Sequence, residues 1–259
     1  MTNSFYRPAL LLTSLWLLTA CQPAAEQEGA QPTGDTQAAA VQAEIPAASA
    51  AQPAAEAAVA DTQLDVTALS HELVPLPGME AEVPVLTEKT TLIMKTSAGD
   101  LVIEVYPQAA PNAAQRFVEL AQSGFFDNTP ISRVVPDFVA QFGINWREGH
   151  KDWQERNFDD DPSLFALERG TLAFAKAGPN TNSTQVFINY AENNNLAAPQ
   201  YNFTVFGKVV QGMEVVDSFV QVGEPGMGLD QERLWDDGEA YLAEQAVQPS
   251  FILSVQAEK

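Results

Sequence analysis

A chain of 259 residues with 34 acidic against 13 basic side chains carries a net charge of −21, so it repels phosphate backbones, and nucleic acid is excluded as a partner class. One cysteine forbids an intrachain disulfide, and one cysteine with two histidines, His71 and His150, cannot assemble an ordinary all-protein zinc site. The hydrophobic fraction of 46% suffices for a core, although alanine near the N-terminus inflates it.

Residues 1–20 read as a secretory signal: Arg7 supplies positive charge, and an apolar run follows from Ala9 to Ala20. That run is shorter than the ~20 residues a membrane-spanning helix needs. Leu18, Thr19, Ala20 and Cys21 resemble the lipobox of bacterial lipoproteins. The resemblance implies cleavage before Cys21, a diacylglycerol on its thiol and an acylated amine, which together give a stable membrane anchor. It places the chain in the bacterial cell envelope. Gln22, where aspartate would retain a lipoprotein at the inner membrane, points to the periplasmic face of the outer membrane. A plain signal peptide with an incidental cysteine is the alternative.

Residues 21–87 are built largely from Ala, Gln, Pro and Glu, with no lysine or arginine between Arg7 and Lys89. Few large apolar side chains and uniform charge predict a lipidated, disordered tether, extended by self-repulsion. Within it, residues 64–86 are more apolar, which leaves open whether they pack on the domain that follows.

From residue 88 the texture changes. TLIMKTS and DLVIEVYP alternate as two strands of a hairpin around Ala98 and Gly99. PNAAQRFVELAQSG then predicts a helix, with Pro111 in its first turn, Phe117, Leu120 and Ala121 at helical spacing, and Gly124 past its end. ISRVV, FVAQFG, TLAFAK, TQVFINY, TVFGKVV and FILSVQ follow as short strands, with a second helix in MEVVDSFV. Eight short strands and two clear helices, without βαβ alternation, predict a mainly β fold, a closed antiparallel barrel with helical caps over 88–259.

Conventional catalytic groups are scarce. Neither histidine sits in a strand, no G-x-S-x-G occurs, and Asp159 to Asp161 lie in the polar stretch NFDDDPS, which reads as a solvated loop. More informative are polar residues inside apolar strands. Arg133 precedes Val134, Val135 and Pro136, and Gln141 lies within FVAQFG. A charge is costly to bury unpaired, so Arg133 either faces solvent or lines a functional pocket.

ISRVVPDFVAQFG, GTLAFAKAGPNTNSTQVFINY and FTVFGKVVQGMEVVD, in that order, resemble three conserved blocks of the cyclophilin family. The resemblance runs from about Thr90 to Val255. It implies an eight-stranded barrel capped by two helices, with a surface groove for proline-containing segments of unfolded or folding envelope proteins. The implied activity is peptidyl-prolyl cis/trans isomerisation without metal, cofactor or covalent step, in a monomer. Arg133 matches the catalytic arginine. Phe138, Val139, Phe187, Leu196 and Phe203 match the apolar wall that receives the prolyl ring. Gln141, Ala175, Lys176 and Gln185 match the remaining groove positions, with Lys176 standing where asparagine is frequent.

Several positions depart from the family pattern. Ser132 replaces a histidine, Asp137 a glycine, and Phe142 the first glycine after the glutamine; Phe142 is expected to reshape the groove beside Gln141. Asn195 stands where a tryptophan supports cyclosporin binding, so weak cyclosporin binding is expected. The stretches 145–169 and 223–249 exceed a minimal cyclophilin and read as decoration, the second carrying a short helix. A non-catalytic peptide-binding or chaperone module on the same barrel is the alternative function.

Overall fold

The computed structural model describes residues 73–258. The expected signal segment, Cys21 and most of the expected tether lie outside the described residues.

Eight strands close into one antiparallel barrel. They are β1 (Thr90–Thr96), β2 (Gly99–Val105), β3 (Thr129–Val135), β4 (Val139–Phe142), β5 (Thr171–Phe174), β6 (Val186–Asn189), β7 (Val205–Gln211) and β8 (Phe251–Ala257). Their order around the barrel is β1-β2-β7-β5-β6-β4-β3-β8. Closure removes the sheet edges that would otherwise template aggregation.

The interior is filled by large side chains, among them Phe117, Phe125, Phe126, Phe142 and Phe206, all fully buried. Phe117 stands with ring centroids 5.3 Å from Phe126 and 5.1 Å from Phe206, so one aromatic from the first helix plugs an end of the barrel. Each such burial contributes roughly 1.5–3 kcal/mol. Strands β4, β5 and β6 are buried on both faces. Ala140, Phe142, Leu172, Phe174, Val186 and Ile188 point into the barrel. The residues between them, Val139, Ala173 and Phe187, point outward into a second apolar cluster. This strict alternation overturns one expectation: Phe142 does not crowd the groove beside Gln141, because the period of two sends it inward against Phe126 at 5.6 Å.

Helix α1 (Pro111–Gln122) starts with Pro111 but has no cap from its own flanking residue, Ala110. The exposed N–H groups of its first turn are instead satisfied by Asp161, whose carboxylate accepts from Ala113 N at 2.9 Å and Asn112 N at 3.3 Å. Asp161 is thus buried, an exception within NFDDDPS, whose Asn157, Asp159 and Pro162 are exposed. Helix α2 (Met213–Asp217) is a short turn, ending before the run expected to continue it. A third helix, α3 (Gln231–Ala243), is capped by Asp230 and kinks at Asp237.

The boundary drawn at residue 88 also shifts. Leu76 N donates to Leu164 O at 2.9 Å and Ala166 N to Val74 O at 2.8 Å, so residues 74–76 run beside 164–166 like an added strand. Leu73 is buried, and Val83 and Leu86 pack on the same outer cluster as Val139 and Phe187. Apolar residues within a polar region found a surface to cover. Among the described residues no helix is long and apolar enough to cross a membrane.

Candidate active site

The outward row of the barrel wall builds a groove. Arg133 on β3 pairs with Gln141 on β4, Gln141 with Phe187 on β6, and Phe187 with Ala173 on β5. Residues in register on adjacent strands share a face, so a cation, an amide and an aromatic ring stand side by side. The groove encloses about 430 Å3, and Arg133, Phe138, Val139, Gln141, Ala175, Lys176, Gln185, Phe187, Leu196 and Phe203 all line it.

Its apolar end is held from several sides. Phe187 and Phe203 meet edge to face at 5.6 Å, and Leu196 sits on the 3-10 turn Asn194–Ala197, tied back by Phe203 N donating to Leu196 O at 3.0 Å. Phe138 is presented by the β3–β4 turn, in which Phe138 N donates to Val135 O at 3.1 Å. Pro136 takes the first central position and Asp137, at φ 59°, the second. This is a type II turn, which demands a positive φ there and explains why a glycine suits the position; aspartate tolerates the left-handed region better than most residues. Asn193 Nδ2 locks the turn by donating to Phe138 O at 3.1 Å.

At the polar end, the guanidinium of Arg133 donates through one terminal nitrogen to Gln141 Oε1 at 3.2 Å and through Nε to Gly226 O at 2.8 Å. It lies 5.6 Å from the Phe138 ring centroid. Burial pulls its pKa below the ordinary value, yet a guanidinium stays charged at any physiological pH. No carboxylate among the described residues forms an ion pair with it, so its charge stands beside an apolar pocket without an acidic partner. Lys176 differs. Its ammonium is 4% exposed and is neutralised by Asp160 at 2.7 Å, with a further bond to Asn202 O at 3.0 Å.

Residues 91–233, more than half of the chain, match the family model described as cyclophilin type peptidyl-prolyl cis-trans isomerase/CLD. The chain belongs to the cyclophilin family. It is 36% identical over 148 residues to a peptidyl-prolyl cis-trans isomerase of Acinetobacter baylyi, covering 55% of this chain and 78% of that one. With the isomerase ppi1 of Schizosaccharomyces pombe it shares 39% identity over 127 residues, covering 47% and 79%. With the isomerase-like 2 protein of Gibberella zeae it shares 38% over 138 residues, covering 51% of this chain but only 23% of that longer one. A cyclophilin-type isomerase structure from Cryptosporidium parvum aligns with TM-score 0.48 at 21% identity, covering 66% of this chain and 99% of that chain.

Several residues of this cyclophilin groove escape a reading by motif. Gln154 and Asn157 come from the stretch 145–169, and Gln231 and Trp235 from α3. The two stretches expected as decoration therefore wall the groove. They also touch each other: Lys151 pairs with Asp236 at 3.5 Å, and Gly238 sits so close to the Trp146 indole that a Cβ there would stand 2.3 Å from it. Only the departure from family length pointed to these residues, since nothing in their own composition marks a site. A chain of amides links helix to strand, with Gln141 Nε2 donating to Gln185 Oε1 at 2.8 Å and Gln185 Nε2 to Gln231 Oε1 at 3.0 Å. Ser132 is buried and donates to Gln141 O at 3.3 Å, joining β3 to β4 where the family carries histidine. Asn195 is exposed and does not line the groove.

Proposed function

We propose that this groove isomerises X-Pro amide bonds in segments of folding envelope proteins, with Arg133 as the catalytic residue. An amide has a rotation barrier of ~18–20 kcal/mol because resonance flattens it, and X-Pro bonds exchange in tens to hundreds of seconds unaided. At the twisted transition state resonance is lost and the prolyl nitrogen carries a lone pair. A guanidinium aimed at that nitrogen stabilises the twisted form more than either planar isomer, which is the condition for catalysis. The observation that carries this reading is the unneutralised Arg133 guanidinium, held at Nε by Gly226 and at one terminal nitrogen by Gln141, beside the apolar end of the groove.

In this account Phe138, Val139, Phe187, Leu196 and Phe203 grip the prolyl ring, while Gln141 and the backbone about Ala175 hold the preceding residue as the bond turns. Proton transfer plays no part. The lipobox-like LTAC segment supports attachment through Cys21 at the periplasmic face of the outer membrane, where unfolded envelope proteins arrive. The exposed position of Asn195 supports weak cyclosporin binding. Catalysed cis/trans exchange of an Ala-Pro peptide, measured by NMR with the purified full chain, tests the reading; peptide binding without faster exchange would instead make the barrel a binding module.

A further inference from the structure

We propose that Lys176 is a positioning residue that sets the size of the ring the groove accepts, acting through Asp160 and Phe203. The proposal rests on the isomerase reading for what occupies the apolar end.

Lys176 follows the end of β5, and its side chain is withdrawn from solvent, only 4% exposed. All sides of its ammonium are committed. It meets Asp160 Oδ2 at 2.7 Å, donates to Asn202 O at 3.0 Å, and faces the Phe203 ring, whose centroid lies 5.6 Å away. A lysine so engaged has nothing left to offer a peptide, which separates its role from that of Arg133. Asp160 cannot follow a moving lysine, because its Oδ1 accepts from Asn182 Nδ2 at 2.7 Å and its backbone N–H donates to Asn180 Oδ1 at 2.8 Å. The neighbouring carboxylate, Asp161, is engaged with the first N–H groups of α1. Neither Lys176 nor Asp160 has a second ion-pair partner among the described residues.

A buried pair adds little net stability over apolar residues of the same volume, so stability does not account for this one; what it supplies is a fixed geometry. That geometry bears on Phe203. The turn before it takes the left-handed region at Asn202, φ 46°. Bonds from Asn202 and Thr204 to Asp161 O, and from Ser163 Oγ to Phe203 O, tie this turn to the stretch 161–163, and Lys176 ties it to the segment after β5. Phe203 in turn meets Phe187 edge to face, so the position of its ring decides how much room the apolar end leaves.

The test compares Ala-Pro peptides with the same peptides carrying pipecolic acid, the six-membered homologue of proline, on the full chain and on the double variant Lys176→Met/Asp160→Asn. Removing both charges avoids the unpaired buried ion that either single change leaves. Kd by NMR titration and the exchange rate of bound peptide are read together. The unaltered chain is expected to prefer proline about tenfold or more, the scale of one methylene against a fixed apolar wall, and the double variant only about twofold. The exchange rate of bound Ala-Pro is expected to change less than the Kd ratio, since Arg133 is held independently by Gln141 and Gly226. A ring preference near one in the unaltered chain would overturn the proposal. So would a preference that the double variant retains while its Tm falls, which is what a purely structural pair gives. The Lys176 ammonium protons of the unaltered chain add a second measurement: slow exchange with water in NMR spectra is expected, and exchange as fast as that of a surface lysine would also overturn the proposal. Ring-size preference in Kd without accelerated cis/trans exchange would keep the role of Lys176 and overturn the isomerase reading instead.

Discussion

Arg133 and Gly226 are joined by a hydrogen bond of 2.8 Å from the guanidinium Nε to a backbone carbonyl 93 residues further along the chain. The loop that carries Gly226 is seated on β3 itself. Leu229 N donates to Ser132 O at 2.8 Å, and Glu224 bridges Gly228 across the loop. A long, freely rotating side chain thereby loses most of its alternatives before substrate arrives.

Gly228→Ala follows from this seat. Gly228 has φ 80°, and a Cβ there would stand 2.5 Å from Ser132 O and 2.7 Å from Arg133 Cβ. The loop must lift, and the bond from Arg133 to Gly226 goes with it. Steady-state kinetics are expected to show kcat lowered about tenfold, the scale of one lost orienting hydrogen bond to a charged group, with KM changed much less.

Gly238→Ala tests the docking of α3. Ordinarily alanine is the better helix residue by ~1 kcal/mol, but here its methyl would fall 2.3 Å from the Trp146 ring. The expected outcome is a lower Tm and a change in tryptophan fluorescence, in the opposite direction to propensity.

Residues 73–87 pack behind the apolar end of the groove, because Leu73, Val83 and Leu86 share one apolar cluster with Val139, Phe187 and Phe203. Ser163 Oγ extends the link, donating to Phe203 O at 2.7 Å. A chain beginning at residue 88 is expected to be less stable than one beginning at residue 73 by about 2–3 kcal/mol in urea unfolding, the contribution of one buried leucine with partial help from its neighbours.

The barrel was legible in the sequence because its strands alternate or run apolar over short stretches between turn residues, as in Leu92 to Thr96 and Leu101 to Val105. The groove was legible through the resemblance of ISRVVPDFVAQFG and its two companion blocks to the cyclophilin family, since the polarity of Arg133 alone left solvent face and pocket both open. What stayed hidden depends on contacts distant in sequence. Asp161 looks like a loop acid until the start of α1 is brought to it, and Gln231 looks like a solvated helix residue until Gln185 meets it. Phe142 was misplaced for a different reason, since only the register with Phe187 and Arg133 says which neighbours share the outer face.

Tyr190 gives the chain an alkaline limit. Burial first, then the nearby Asp217 carboxylate, push its phenol up to about 12 from 10.0, and its hydroxyl donates to Val216 O at 2.8 Å. The folded state therefore holds this proton while the unfolded state releases it, so this stability is complete below pH 10 and is lost as pH rises towards 12. Spectrophotometric titration is expected to find one tyrosine ionising near 12, and Tyr190→Phe to flatten the fall of Tm over that window.

In the proposed mechanism Arg133 favours the twisted amide over the planar one. NMR exchange measurements on an Ala-Pro peptide, with the full chain and with Arg133→Ala, address it most directly. Catalysed exchange is expected to fall about 10²–10³-fold in the variant, the usual loss for one preorganised charge-stabilising donor, while peptide Kd shifts only a few-fold. Exchange that survives the substitution, or a loss fully explained by weaker peptide binding, would contradict it.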